Sequence, residues 1–159
     1  MKSFNTLSAI LVTTSLSLGH IDAASAVEQH QHTNKQHTSF TMQLNQGQKW
    51  KTDSTLRQGM KRINNNVIKA KPAFNAETLT APDAKILAKY INQEIEYIIT
   101  NCKLEPMADS TLHVLIGELL HGTKILGKEP LSAEGLPRII NALNTYPEYF
   151  NHPGWTLKH

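Results

Sequence analysis

Four stretches of this chain repeat apolar residues at the spacing of one helix face, and most are bounded by a capping residue or a proline. That pattern restricts the fold to a packing of helices. Leu56, Met60, Ile63 and Val67 recur at steps of 4, 3 and 4, which places them on one side of a helix. This helix opens near Thr52 or Asp53, both good N-caps, and ends at Lys71 followed by Pro72, because a residue before proline is pushed out of the helical region. A second helix is capped by Thr80 and covers residues 81–102, with Ala84, Leu87, Ile91, Ile95, Ile98 and Cys102 along its stripe. The third opens at Pro106, a favoured first-turn residue, carries Leu112, Leu115, Ile116, Leu119 and Leu120, and closes between Gly122 and Gly127. The fourth opens at Ser132, presents Leu136, Ile139, Ile140, Leu143, Tyr146 and Phe150, and is disturbed at Pro147. No segment shows the two-residue alternation of a half-buried strand. The expected fold is all-α: an antiparallel up-down-up-down four-helix bundle with short connections, over residues 49–159.

The chain before the bundle divides in two. Residues 1–26 have a basic start at Lys2, an apolar run over 7–18 and small residues at Ala24 and Ala26. This is the layout of a secretory signal peptide cleaved after Ala26, and it implies a periplasmic or secreted protein. As a membrane span the run is too short and too rich in Ser and Thr, since a spanning helix needs about 20 apolar residues. Residues 27–48 are rich in Gln, His, Thr and Asn, too polar to offset the entropy of ordering, and read as a flexible leader. His30, His32 and His37 lie in it; a short His-rich tract can capture divalent metal weakly, and the plainer reading is a polar tether whose histidines are incidental.

Removing residues 1–26 takes away one basic and one acidic residue, so the mature charge stays at +3. With no cluster of Lys and Arg and no RNA-binding motif, nucleic acid is not an expected partner. The single cysteine has no intramolecular disulfide partner, which makes it a free thiol, a ligand or an intermolecular bridge.

In an up-down-up-down path, the starts of helices one and three meet the ends of helices two and four. Trp50, Asp53, Arg57 and Met60 then gather with Cys102, with Met107, Asp109 and His113, and with His152 and Trp155. The centre of this set is the corner NCKLEPMADSTLH, residues 101–113, where His113 sits at the edge of the third stripe and Asp109 is one turn away. Thiolate, thioether and imidazole together select a soft ion such as Cu(I). Cys102, His113, Met60 and His152 are the candidate metal ligands, with Asp109 as an outer acceptor for an imidazole N–H. Arg57, Asp53, Trp50 and Trp155 would lock the same end. Two readings compete. One is a bundle with no metal that binds another protein, in which Met60 is core packing and His113 and Asp109 are a structural pair. The other is non-covalent haem b held by Met60 and a histidine.

Catalysis has little support: the chain lacks a Gly-rich phosphate loop, GxSxG, HExxH and paired carboxylates. A Cys102 nucleophile with His113 as base is the only arrangement that can be drawn.

The segments KWKTDSTLRQGMKRI, NCKLEPMADSTLHVLIGELL and ALNTYPEYFNHPGW are similar to those of small exported bacterial proteins labelled DnrO-like, across roughly residues 49–155. The recurrent positions of that group fall on Trp50, Asp53, Leu56, Arg57, Met60, Cys102, Asp109, His113, His152, Pro153 and Trp155. The resemblance implies a periplasmic bundle and no particular activity. More loosely the chain resembles the cytochrome b562 and cytochrome c′ bundles. The second lacks its defining CxxCH here, and for the first only the bundle and a helix-one methionine correspond.

Overall fold

The computed structural model describes residues 41–156. The expected signal peptide, most of the leader and the histidines at 30, 32 and 37 lie outside the described residues. Four helices make up most of the described chain: α1 (Ser54–Asn75), α2 (Ala81–Asn101), α3 (Pro106–Lys128) and α4 (Gly135–Tyr149). The chain is all-α in class. Among the described residues no helix is long and apolar enough to cross a membrane.

Local chemistry explains where the helices begin. Asp53 caps α1, its Oδ1 accepting the Leu56 N–H at 2.7 Å, and the Thr80 hydroxyl accepts the Asp83 N–H at 3.3 Å at the start of α2. Pro106 is the first residue of α3. Their ends depart more from expectation. α1 continues through Pro72 to Asn75, since a proline in the final turn forfeits only one helical bond and Phe74 beyond it packs against the core. α3 runs past Gly122 and Gly127 to Lys128. Gly122 serves close approach instead of termination: a Cβ there would stand 2.5 Å from Ile139 Cγ1 and 2.9 Å from the Gly135 carbonyl oxygen. Ser132 accepts from Glu134 N–H at 3.3 Å in the turn before α4, which starts three residues later than its expected cap.

α1 packs on α2, α2 on α3 and α3 on α4, whereas α1 and α4 barely meet. The core they enclose takes Leu56, Met60, Ile63 and Val67 from α1, Ile91, Ile95 and Ile98 from α2, Leu115, Leu119 and Leu126 from α3, and Leu136, Ile139, Leu143 and Tyr146 from α4, all buried. Burying one such aliphatic side chain contributes roughly 1.5–3 kcal/mol. Gly59 lets α1 close on α2, where a Cβ would lie 2.4 Å from Ile98 Cγ1.

Two elements have no counterpart in the helical pattern. Trp50–Lys51 (β1) and Phe150–Asn151 (β2) form a two-residue parallel pair, Trp50 opposite Phe150, which ties the chain entering α1 to the chain leaving α4. Residues 41–48, expected to belong to the flexible leader, fold back. Asn45 and Gln48 bridge across a turn whose central residues, Gln46 (φ 51°) and Gly47 (φ 84°), both have positive φ, as a primed hairpin turn requires. The Gln43 carbonyl accepts the Trp50 indole N–H at 2.6 Å and the Thr111 hydroxyl at 3.4 Å, and Met42 packs against the core. A backbone carbonyl supplies this anchorage, so side-chain composition gives no sign of it.

Candidate functional site

Asp53 organises one side of the molecule. While Oδ1 caps α1, Oδ2 accepts the Lys103 N–H at 2.7 Å, so one carboxylate joins the start of α1 to the chain just beyond α2. Arg57 donates to the Thr52 carbonyl and hydroxyl, and the Thr52 hydroxyl in turn donates to the Asn151 carbonyl at 2.7 Å. The start of α1, the end of α2 and the chain after α4 are thereby knitted together.

Cys102 is the C-cap of α2, its N–H donating to the Ile98 carbonyl as the backbone turns extended. The thiol is free and half-buried. Burial first, and then the neighbouring Asp53 and Asp109 carboxylates, push its pKa up to about 12, so the sulfur holds its proton at neutral pH. Across from it, His113 Nδ1 lies 2.9 Å from the Asp109 carbonyl oxygen and 3.4 Å from Asp109 Oδ2. Cys102, Asp109 and His113 line one small cleft of about 130 Å³ whose other walls are Ile98, Ile99, Leu112 and Ile116. We call this the α2–α3 corner. The His113 ring is largely exposed at its rim.

The other two expected ligands are elsewhere. Met60 is fully buried among the aliphatic side chains of the core. It follows the α1 stripe, and the stripe is what the core consumes. His152 belongs to the C-terminal tail, residues 151–156, which turns back so that Trp155 N–H donates to the His152 carbonyl at 3.0 Å. Its ring sits against Tyr146, with Nδ1 3.1 Å from the Tyr146 hydroxyl. Trp155 packs edge-on to Tyr146 at 4.8 Å and tilted to His152 at 4.9 Å, and Phe150 stacks on the same tyrosine at 5.3 Å. The expected set of four is thus divided between a corner, the core and the tail. Among the described residues no three His, Cys, Asp or Glu side chains are grouped to hold a metal ion.

The tail lies beside α1, where Asn64 Nδ2 donates to the Thr156 carbonyl at 3.3 Å. Between them is a cleft of about 390 Å³ lined by Lys61, Asn64, Asn65, Ile68 and Lys69 from α1 and by residues 152–156. Burial, followed by the positive charges of Arg57 and Lys61, lowers the His152 pKa from its ordinary value. The Trp155 indole Nε1 is buried with no hydrogen-bond partner among the described residues. Sequence reading placed His152 and Trp155 at a site but missed Lys61, Asn65 and Lys69. Their steps of four mark one face of α1, yet only the returning tail turns that face into a cleft.

No known protein family, curated protein or solved structure matches this chain.

Proposed function

We propose that this chain is an exported binding protein, an up-down-up-down bundle of the kind its DnrO-like resemblance implies, whose α2–α3 corner holds a soft, copper-like metal ion between Cys102 Sγ and His113 Nε2. The observation that carries this reading is the single cleft shared by Cys102, Asp109 and His113. Its size, about 130 Å³, is below the several hundred cubic ångströms usual for an organic ligand. With His113 Nδ1 engaged by Asp109, the imidazole is oriented from behind and Nε2 is left for a ligand. Asp53 and Asp109 help keep the proton on sulfur, and the same negative field favours a cation in the proton's place. Thiolate with imidazole suits Cu(I). Met60 and His152 are left out of this donor set. A thiol held protonated is a poor nucleophile, which favours binding over catalysis. The up-down-up-down path draws support from the Asp53 bond to Lys103, which brings the start of α1 to the end of α2, and from the β1–β2 pair, which brings the start of α1 to the end of α4.

The second reading is a bundle without metal that presents a surface to another protein. It draws on Asp53 and Arg57, whose hydrogen bonds are fully explained by fastening the helix ends.

Competition for Cu(I) between the mature protein and a chromophoric chelator, with elemental analysis, separates the two. The expected result is one Cu(I) per chain, with affinity reduced tenfold or more, about 1.4 kcal/mol, by Cys102→Ala and by His113→Ala. Met60→Leu and His152→Gln should bind as the parent does. Unchanged affinity in both Cys102→Ala and His113→Ala would falsify the corner site. Removing residues 27–40 distinguishes capture by the leader histidines, and haem reconstitution with no Soret band discards the haem reading.

A further inference from the structure

The cleft between α1 and the C-terminal tail differs from the corner in size and in chemistry. At about 390 Å³ it falls within the range that holds small organic molecules. Its polar side chains are Lys61, Asn64, Asn65, Lys69, His152 and Thr156, and no carboxylate lines it. Lys61 and Lys69 are eight residues apart on α1, so their backbone positions are separated by about 12 Å along the helix. Between them lie the two asparagines and the apolar side chain of Ile68. Pro153 and Trp155 make the facing wall. Arg57 adds positive charge close enough to depress His152.

We infer that this cleft is a second binding site, for a small organic anion: a carboxylate or phosphate group carried on an apolar body. The lysine ammoniums and asparagine amides supply donors to the anionic oxygens, and hydrogen bonds of that type to a charged group are about twice as strong as neutral ones. Ile68, Pro153 and the Trp155 ring take the apolar part. The Trp155 Nε1–H lacks an acceptor among the described residues and is closed off from solvent, a cost of about 1–3 kcal/mol for an orphaned polar group that a ligand oxygen would relieve if the tail shifted to admit it. This site shares no lining residue with the α2–α3 corner, so its existence is independent of metal binding there.

Phenyl phosphate, benzoate and the neutral benzyl alcohol are titrated into the full chain at fixed ionic strength, and the tryptophan indole N–H resonances are followed by NMR. Saturable shifts of the Trp155 resonance by an anion, with none from benzyl alcohol, are expected. Preference between the two anions shows which headgroup the site takes. Lys61→Gln combined with Lys69→Gln should weaken binding by about tenfold, the sum of two partly exposed charge contacts. Trp155→Phe, which keeps an aromatic wall but removes the N–H and is followed through the backbone amide resonances of Asn64 and Gly154 instead, should weaken it by a factor of about 3–10. Lys85→Gln with Lys89→Gln, on α2 away from the cleft, should leave it unchanged. No saturable shift with either anion, equal binding of benzyl alcohol, or an equal loss in the α2 double variant overturns the assignment.

Discussion

The α2–α3 corner, which faces the Asp53 cap of α1, and the α1–tail cleft carry opposite chemistry. Asp53 and Asp109 surround the corner, and its thiol is held protonated. Lys61 and Lys69 line the cleft, and its imidazole is held uncharged by burial and by positive neighbours. Position along one helix separates them: Asp53 is at the cap of α1, Lys61 two turns in and Lys69 two turns further. The lesson is that one small bundle can keep two local fields of opposite sign. Tyr146 lies within electrostatic reach of the acidic side and in contact with the tail. It is fully buried, its phenol pKa is pushed up chiefly by burial, and it responds to Arg57, Cys102 and Asp53 while holding His152 and Trp155.

The comparison breaks most severely if Tyr146 is removed. Tyr146→Ala should cost about 3–5 kcal/mol in guanidinium unfolding and release Trp155, visible as a red shift in its emission. A loss under about 1 kcal/mol would show that Tyr146 does not anchor the tail. Reactivity of Cys102 tests the acidic side next. Alkylation by iodoacetamide at pH 8 should be roughly two to three decades slower than that of a free cysteine, and a rate equal to the free thiol's would show the field is absent. Asp53 offers a way to sharpen the contrast. Asp53→Ala should destabilise by about 1–2 kcal/mol through loss of the cap. Asp53→Asn keeps an acceptor for the Leu56 N–H or the Lys103 N–H but not for both, so it should cost part of the same stability, about 1 kcal/mol, while speeding Cys102 alkylation by removing a charge.

The smallest effect belongs to the basic side. The His152 pKa is depressed below its ordinary value of 6.5, so below that pH the unfolded chain takes up the proton more readily than the folded one. Its contribution to stability is complete above about pH 6.5 and is lost as pH falls through the folded value. Stability measured from pH 7.5 to 4.5 should fall less steeply in His152→Gln than in the parent. An identical slope in the two would show that another group titrates.

The helices were legible because burial on a helix leaves a 3.6-residue trace: Leu56, Met60, Ile63 and Val67, like Leu87, Ile91, Ile95 and Ile98, are buried as their spacing requires. The same trace misdirects where function is concerned. Met60 has a ligand's chemistry and a core residue's spacing, and the packing decides in favour of the spacing. Helix ends were harder, since Pro72 and Gly122 are helix breakers only when nothing nearby compensates, and Phe74 packing and the close pass of α4 are tertiary facts. Of the candidate sites, Cys102, Asp109 and His113 could be found from the turn between two helices. The α1–tail cleft could not, because it depends on residues 151–156 folding back across nearly a hundred positions, with one bond from Asn64 to Thr156.

The pairing of Trp50 with Phe150 also sets the order in which this molecule can be finished. A chain is made from its N-terminus at about 5–20 residues per second, and closing so long a loop cannot precede the emergence of its far end. α1, α2 and α3 can pack as they appear, each on its predecessor. The Trp50 strand must wait for Phe150 to appear, leaving its pairing edge open in every partial product. A truncation before residue 150 would therefore keep all four helices but leave the seam beside Trp50 open, a natural substrate for chaperones and proteases.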